Sequence, residues 1–247
     1  MSQALIEARD LHIEFGGVKA ADGVDLSVHE SDHLAIIGPN GAGKTTFLNI
    51  CTGYLRPKSG TVRFDGTEIT GRSPRWITRR GIARAFQIPQ LFLEHTVIEN
   101  MLIGAAARDR VRSLWRPLSA STARDEMMEL LELMGVADVA AQVVTALPEG
   151  QRKLIDIALA LALKPRVLLM DEPTSGVSSQ EKFQVMDTLL RVLAHQQVTA
   201  VFVEHDMEMV ERYAERVAVW DAGRIRIEGT PAEVLADAGV QRDVIGL

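Results

Sequence analysis

The run Gly38-Pro39-Asn40-Gly41-Ala42-Gly43-Lys44-Thr45, followed by Thr46, has the G-x-x-x-x-G-K-T spacing of a loop that holds a polyphosphate. Gly38, Gly41 and Gly43 let backbone N–H groups turn inward where a Cβ would crowd the phosphates. Lys44 supplies a point charge for the terminal phosphates, and the Thr45 hydroxyl is placed to ligate a bridging magnesium ion. The flanks suit this chemistry. His33-Leu34-Ala35-Ile36-Ile37 reads as a buried strand entering the loop, and Thr45–Ile50 reads as the helix leaving it. That helix's N-terminus adds roughly half a positive charge toward the phosphates. The chemistry implied is binding of a nucleoside triphosphate with Mg2+.

A second run, Val167-Leu168-Leu169-Met170-Asp171-Glu172-Pro173, is an apolar strand ending in two acids. Asp171 at the strand tip is expected to help hold the magnesium, and Glu172 to polarise an attacking water.

The elements that must position these groups read as α/β. Strand-like alternation runs through Leu5–Ala8, Leu11–Phe15 and Val24–Val28, with Gly16-Gly17 as a turn. A turn at Pro57–Gly60, a strand at Thr61–Phe64 and a turn at Asp65-Gly66 follow. Residues 88–146 change to helical periodicity, as in Met127–Met134 closed by Gly135. Beyond residue 150, buried parallel strands at Val167–Met170 and Val198–Val203 alternate with helices. Ser178 with Glu181, and Thr230 with Glu233, match capping boxes.

Bulk properties bound the function. The 247 residues suffice for a large core, and an apolar fraction of 47% is ordinary for a globular chain. With 27 basic against 33 acidic side chains, the net charge of −6 argues against a general nucleic-acid surface. No apolar run reaches the length that crosses a bilayer, and the first residues lack a signal-peptide pattern. The lone Cys51 is expected to be a small buried hydrophobe in a reducing cytosol.

Taken in order, the motifs resemble those of the ATP-binding-cassette (ABC) ATPases over nearly the whole chain. Phe15 looks like the aromatic that stacks on adenine. Gln87, in Arg84-Ala85-Phe86-Gln87, looks like the glutamine that touches magnesium and water. His205, in Val203-Glu204-His205-Asp206, looks like the switch histidine at the γ-phosphate. The resemblance implies a P-loop NTPase (RecA-like) core with an N-terminal antiparallel β subdomain and an inserted helical subdomain. On that reading residues 1–247 form a single ABC ATPase domain, about 1–87 and 151–247 being core and about 88–150 the helical insertion. ATP and Mg2+ are the implied cofactors, with residues 38–46 on the phosphates and Thr45, Gln87 and Asp171 on the metal.

Two motifs depart from the family pattern. Where the family has Leu-Ser-Gly-Gly-Gln, this chain has Leu147-Pro148-Glu149-Gly150-Gln151. Pro148 offers neither hydroxyl nor N–H, and Glu149 adds negative charge, while Gly150 and Gln151 at a helix start keep some hold on a partner's nucleotide. Ser178 stands where the family usually has an aspartate. These changes put in doubt the composite site that uses this chain's signature.

Phe15–Ala20, Phe92–Leu102 with the arginine-rich stretch around Leu114–Leu118, and Gly229–Val234 are similar to the ATPase subunits of branched-chain amino-acid importers. This implies transmembrane permease subunits, a second ABC ATPase subunit in a heterodimer or homodimer, and indirectly a periplasmic solute-binding protein. The location implied is the cytoplasmic face of the cell membrane, with no nucleic acid. Arg72, Arg75, Arg79, Arg80 and Arg84 read as a solvated helix face or a docking surface. Ile88, Leu91, Phe92 and Leu93 read as subdomain packing or a groove for a transmembrane subunit. Two other classes stay open: a non-transporter ABC ATPase on a macromolecular complex, and a weakly hydrolysing regulatory subunit.

Overall fold

The structure, a computed structural model, describes residues 4–109 and 123–245. The arginine-rich stretch around Leu114–Leu118 lies outside them. The chain divides into two compact units, one of residues 1–80, 169–172 and 199–247, the other of residues 81–168 and 173–198. The second unit extends beyond 88–150 on both sides.

In the first unit β1 (Ala4–Phe15) and β2 (Val18–His29) form a long antiparallel ribbon. Gly16 and Gly17 close it with φ of +54° and +87°, a two-residue turn that matches strand twist. The two stretches expected at Leu5–Ala8 and Leu11–Phe15 are one strand. A bulge at Asp10, φ +47°, shifts the register toward both neighbours. After β3 (His33–Ile37) and α1 (Lys44–Cys51), β4 (Ser59–Phe64) and β5 (Thr67–Glu68) return, giving the sheet order β2-β1-β4-β5.

The same unit holds the sheet that presents the phosphate loop. β3 lies parallel to β8 (Thr199–Val203) on one side and to β9 (Arg216–Asp221) on the other. All of β8 and Leu34–Ile37 of β3 are buried, as expected of strands covered on both faces. β10 (Arg224–Gly229) folds back on β9 through Ala222-Gly223, a hairpin the sequence reading did not pick out. Trp220 of β9 is fully buried against Phe47 of α1, ring centroids 5.3 Å apart, and Cys51 is buried as expected. The short α2 (Pro74–Thr78) buries only Ile77. α7 (Met207–Tyr213) is capped by Asp206, α8 (Pro231–Leu235) by the Thr230–Glu233 box, and α9 (Ala238–Val240) by Asp237.

The second unit contains β6 (Ile82–Ala85), α3 (Val97–Arg108), α4 (Arg124–Leu133), α5 (Glu149–Leu161) and α6 (Glu181–Gln196). α5 packs on α3, α4, α6 and β6. α4 buries Met127, Leu130 and Leu131, and Gly135 at φ +70° follows its end. A full capping box, Thr96 with Glu99, starts α3; its Thr-x-x-Glu spacing was present in the sequence and went unread. The box expected at Ser178 is corrected. Its hydroxyl does bond Glu181 at 2.6 Å, but α6 starts only at Glu181 with Gln180 as cap, so the pair closes a turn ahead of the helix.

β7 (Val167–Asp171) begins in the second unit, where the Arg166 and Val167 amides donate to Gly81 O, and ends in the first.

Candidate nucleotide site

The phosphate loop owes its shape to the sheet beneath it. A Cβ on Gly38 would lie 1.9 Å from the Trp220 carbonyl oxygen, and one on Gly43 would lie 1.9 Å from that of Ala20. Their φ values, +148° and +122°, are also ones L-residues avoid. These two glycines are therefore dictated by packing on β9 and β2, a reason beyond room for phosphate. Gly41 at φ +79° has open space around it and is needed for backbone conformation alone.

Lys44, 5% exposed, donates from Nζ to the carbonyls of Gly38 at 2.6 Å and Pro39 at 2.9 Å. Burial lowers its pKa, and the nearby carboxylates of Glu172 and Asp171 oppose that shift. The Thr45 hydroxyl donates to Asp171 Oδ1 at 3.2 Å, uniting two oxygen donors separated by 126 residues of chain. His205 Nε2 lies 3.0 Å from Glu172 Oε1. Glu172 itself is left-handed, φ +50°, a conformation that costs a non-glycine residue about 1 kcal/mol or more and collects at functional sites. Its amide donates to Val203 O at 3.0 Å, which ties the turn to β8.

A cleft of about 210 Å³ collects Phe15, Asn40, Lys44, Thr45, Glu172 and His205 along its walls. Phe15 is 49% exposed at its edge. Val18, Phe15's cross-strand partner, is 64% exposed, also lines the cleft, and was missed. The two-residue Gly16-Gly17 turn was the signal that places these side chains beside each other. Among the described residues no cluster of three or more His, Cys, Asp or Glu could cage a metal. One hydroxyl and one carboxylate suit instead a small hard cation that keeps waters and shares substrate phosphates.

Gln87, Gly150 and Gln151 belong to the second unit. The Gln87 side chain is exposed, while its carbonyl accepts from Lys153 Nζ. Asp156 accepts from the amides of Phe86 at 3.2 Å and Gln90 at 2.8 Å, and burial raises its pKa to about 6. Neither residue was singled out from sequence. Pro148 caps α5 without any side-chain bond. Glu149 lies over Gly176, whose added Cβ would sit 2.2 Å from Glu149 Oε1.

On the basic cluster, Trp76 lies beneath both Arg72 at 5.3 Å and Arg80 at 4.4 Å. Ile88, Phe92 and Leu93 are exposed and Leu91 is half-buried. No helix of the described residues is long and apolar enough to cross a membrane.

A parallel sheet feeding a glycine-rich loop into a helix, with the carboxylate at the end of β7, two strands from β3 in the sheet, on the Thr45 hydroxyl, defines a phosphate-loop nucleotide-binding protein. Residues 21–175 match the ABC transporter family model. The chain is 32% identical over 253 residues to the high-affinity branched-chain amino acid transport ATP-binding protein BraF of Pseudomonas aeruginosa, covering 100% of this chain and 99% of that one. It is 32% identical over 254 residues to the corresponding protein LivG of Escherichia coli, with the same coverage. The crystal structure of the ADP conformation of an ATP-binding cassette of an ABC transporter superposes with a TM-score of 0.87 at 31% identity, covering 100% of both chains. The chain belongs to the ABC transporter family and is one of its ATPases. These relatives do not favour a non-transporter role.

Proposed function

We propose that the chain is the ATP-hydrolysing subunit of an importer for branched-chain amino acids or closely related small solutes. The observation that carries this is the cleft in which Lys44, Thr45 with Asp171, and Glu172 with His205 converge. ATP enters with its adenine on Phe15 and its phosphates on the loop amides of residues 38–46. Lys44 holds the terminal phosphates. Thr45 and Asp171, with Gln87, would hold Mg2+, which supplies charge neutralisation between the phosphates. Glu172 accepts the proton of the attacking water, and His205, in contact with that carboxylate, orients it and meets the γ-phosphate. The substrate class comes from what the full-length relatives are named for.

The working unit is a dimer of cassettes under transmembrane permease subunits at the cytoplasmic face of the membrane, fed by a solute-binding protein. Residues 88–150 act as the helical subdomain, with Ile88, Phe92 and Leu93 receiving a helix of a permease. Gly150 and Gln151 reach the partner's nucleotide. Pro148 and Ser178 favour a second, different ATPase subunit, because this chain's signature lacks the hydroxyl and the carboxylate the family uses there.

Affinity purification of the tagged full chain from native membranes in mild detergent tests the assembly. Two membrane proteins and a second cassette are expected. A soluble complex without membrane proteins overturns the transporter reading and leaves the ATPase chemistry. Lys44→Ala tests the site itself: ATP affinity is expected to fall about tenfold or more, because a charge-assisted phosphate contact is lost. Unchanged affinity overturns the site.

A further inference from the structure

Two charged side chains of α5 are almost wholly buried, Lys153 at 1% and Asp156 at 4% exposure. A buried charge is retained only where it is paired or well hydrogen-bonded. Both spend that bonding on one short piece of backbone. Lys153 Nζ donates to the carbonyls of Phe86, at 3.3 Å, and Gln87. The Asp156 carboxylate accepts from the amides of Phe86, at 3.2 Å, and Gln90, at 2.8 Å. Their i, i+3 spacing puts both on one face of the helix. Farther along, Asn100 of α3, fully buried, bonds Phe92 N at 2.8 Å and Phe92 O at 3.1 Å. The segment from Phe86 to Phe92 has no ladder of its own, so these three side chains do the work that a strand neighbour does elsewhere.

Lys153 sits within one turn, and Asp156 within two, of Gly150 and Gln151 at the start of the same helix. Bonds between charged groups and backbone dipoles are about twice as strong as neutral ones. A shift of α5 along its axis therefore carries the Gln87 main chain with it. We propose that Lys153 and Asp156 are positioning residues that join the Gln87 loop to the first turn of α5. Engagement of Gly150 and Gln151 by a partner's nucleotide then sets where Gln87 stands for this chain's own ATP. The proposal rests on the assignments of Gln87 and of the α5 N-terminus made above. It adds a route by which two nucleotide sites communicate through a single chain.

A double-mutant cycle on the full chain tests it, with steady-state ATP hydrolysis and equilibrium ATP binding as readouts. Lys153→Met is expected to lower kcat about tenfold to a hundredfold, the scale of misplacing a reacting group by about an ångström. ATP Kd stays put, because Lys153 lies outside the phosphate loop. Lys153→Arg restores most of the rate. In a Gln87→Ala background, Lys153→Met is expected to remove less than a further twofold, since it acts through Gln87. Losses that multiply in the double variant, or a wild-type rate in Lys153→Met, overturn the proposal. A wild-type rate in Gln87→Ala sinks the assignment of Gln87 and this proposal with it. Where Lys153→Met does not fold, Asp156→Asn enters the same cycle with the same outcomes.

Discussion

The phosphate loop and the Gln87 loop solve opposite problems. Around the phosphate loop, side chains that carry charge line a cleft, and the backbone is bent by glycines held against Trp220 and Ala20. Around the Gln87 loop the charges are inside: Lys153 and Asp156 are buried and their bonds end on backbone amides and carbonyls. One region keeps polar groups facing the place where a ligand enters. The other uses polar groups to fix a stretch of backbone that carries the exposed Gln87. A charged residue in a sequence thus says little about its task until its burial and its partner are known.

The largest expected effect tests whether the cleft is chemical. Glu172→Gln should lower turnover on the order of 10²–10⁴-fold while ATP still binds, because it removes a base and little volume. Phosphate release measured beside nucleotide binding decides it, and full turnover would place the base elsewhere.

Next comes the claim that the phosphate loop is shaped by the sheet. Gly38→Ala drives a Cβ into the Trp220 carbonyl, an overpacking expected to cost about 3 kcal/mol. Thermal unfolding should show a Tm lower by roughly 6–12 °C. Gly41→Ala, with open space around it, should cost less.

The buried side of the comparison has a pH signature. Asp156's pKa is raised to about 6 from an ordinary 3.8 by burial. Below the lower value both folded and unfolded chains hold the proton. Between the two, the folded state keeps a proton that the unfolded state releases, so stability falls as pH rises through the window, and above about 6 the cost is constant. The full cost is at most about 3 kcal/mol. Chemical denaturation of wild type and Asp156→Asn between pH 4 and 7 should show a wild-type advantage that shrinks toward pH 6. A pH-independent difference would contradict the burial of that charge.

The smallest effect concerns the helix behind the Gln87 loop. Thr96→Ala removes the α3 cap and should cost about 1 kcal/mol with the site untouched. Thr96→Ser should recover most of it.

Much of the first region was legible because its requirements are contiguous. Residues 38–46, the strand before them, the helix after them and the acids at 171 and 172 follow local spacing. Strand limits were less legible, as at Asp10, where a bulge joins what alternation separates into two strands. In the second region Met127–Met134 was readable by period. Lys153 and Asp156 were not, because charged residues on a helix ordinarily face water.

The sequence by itself determined a nucleotide-binding ABC cassette, since the phosphate loop is a backbone device written in consecutive residues. Only the tertiary structure decided that Thr45 meets Asp171, that Glu172 meets His205, that Trp220 holds the loop from below, and that α5 grips the Gln87 segment. Those pairings span 33 to about 180 residues of chain, and no local periodicity or propensity encodes contacts at that separation; packing of the sheets and helices does.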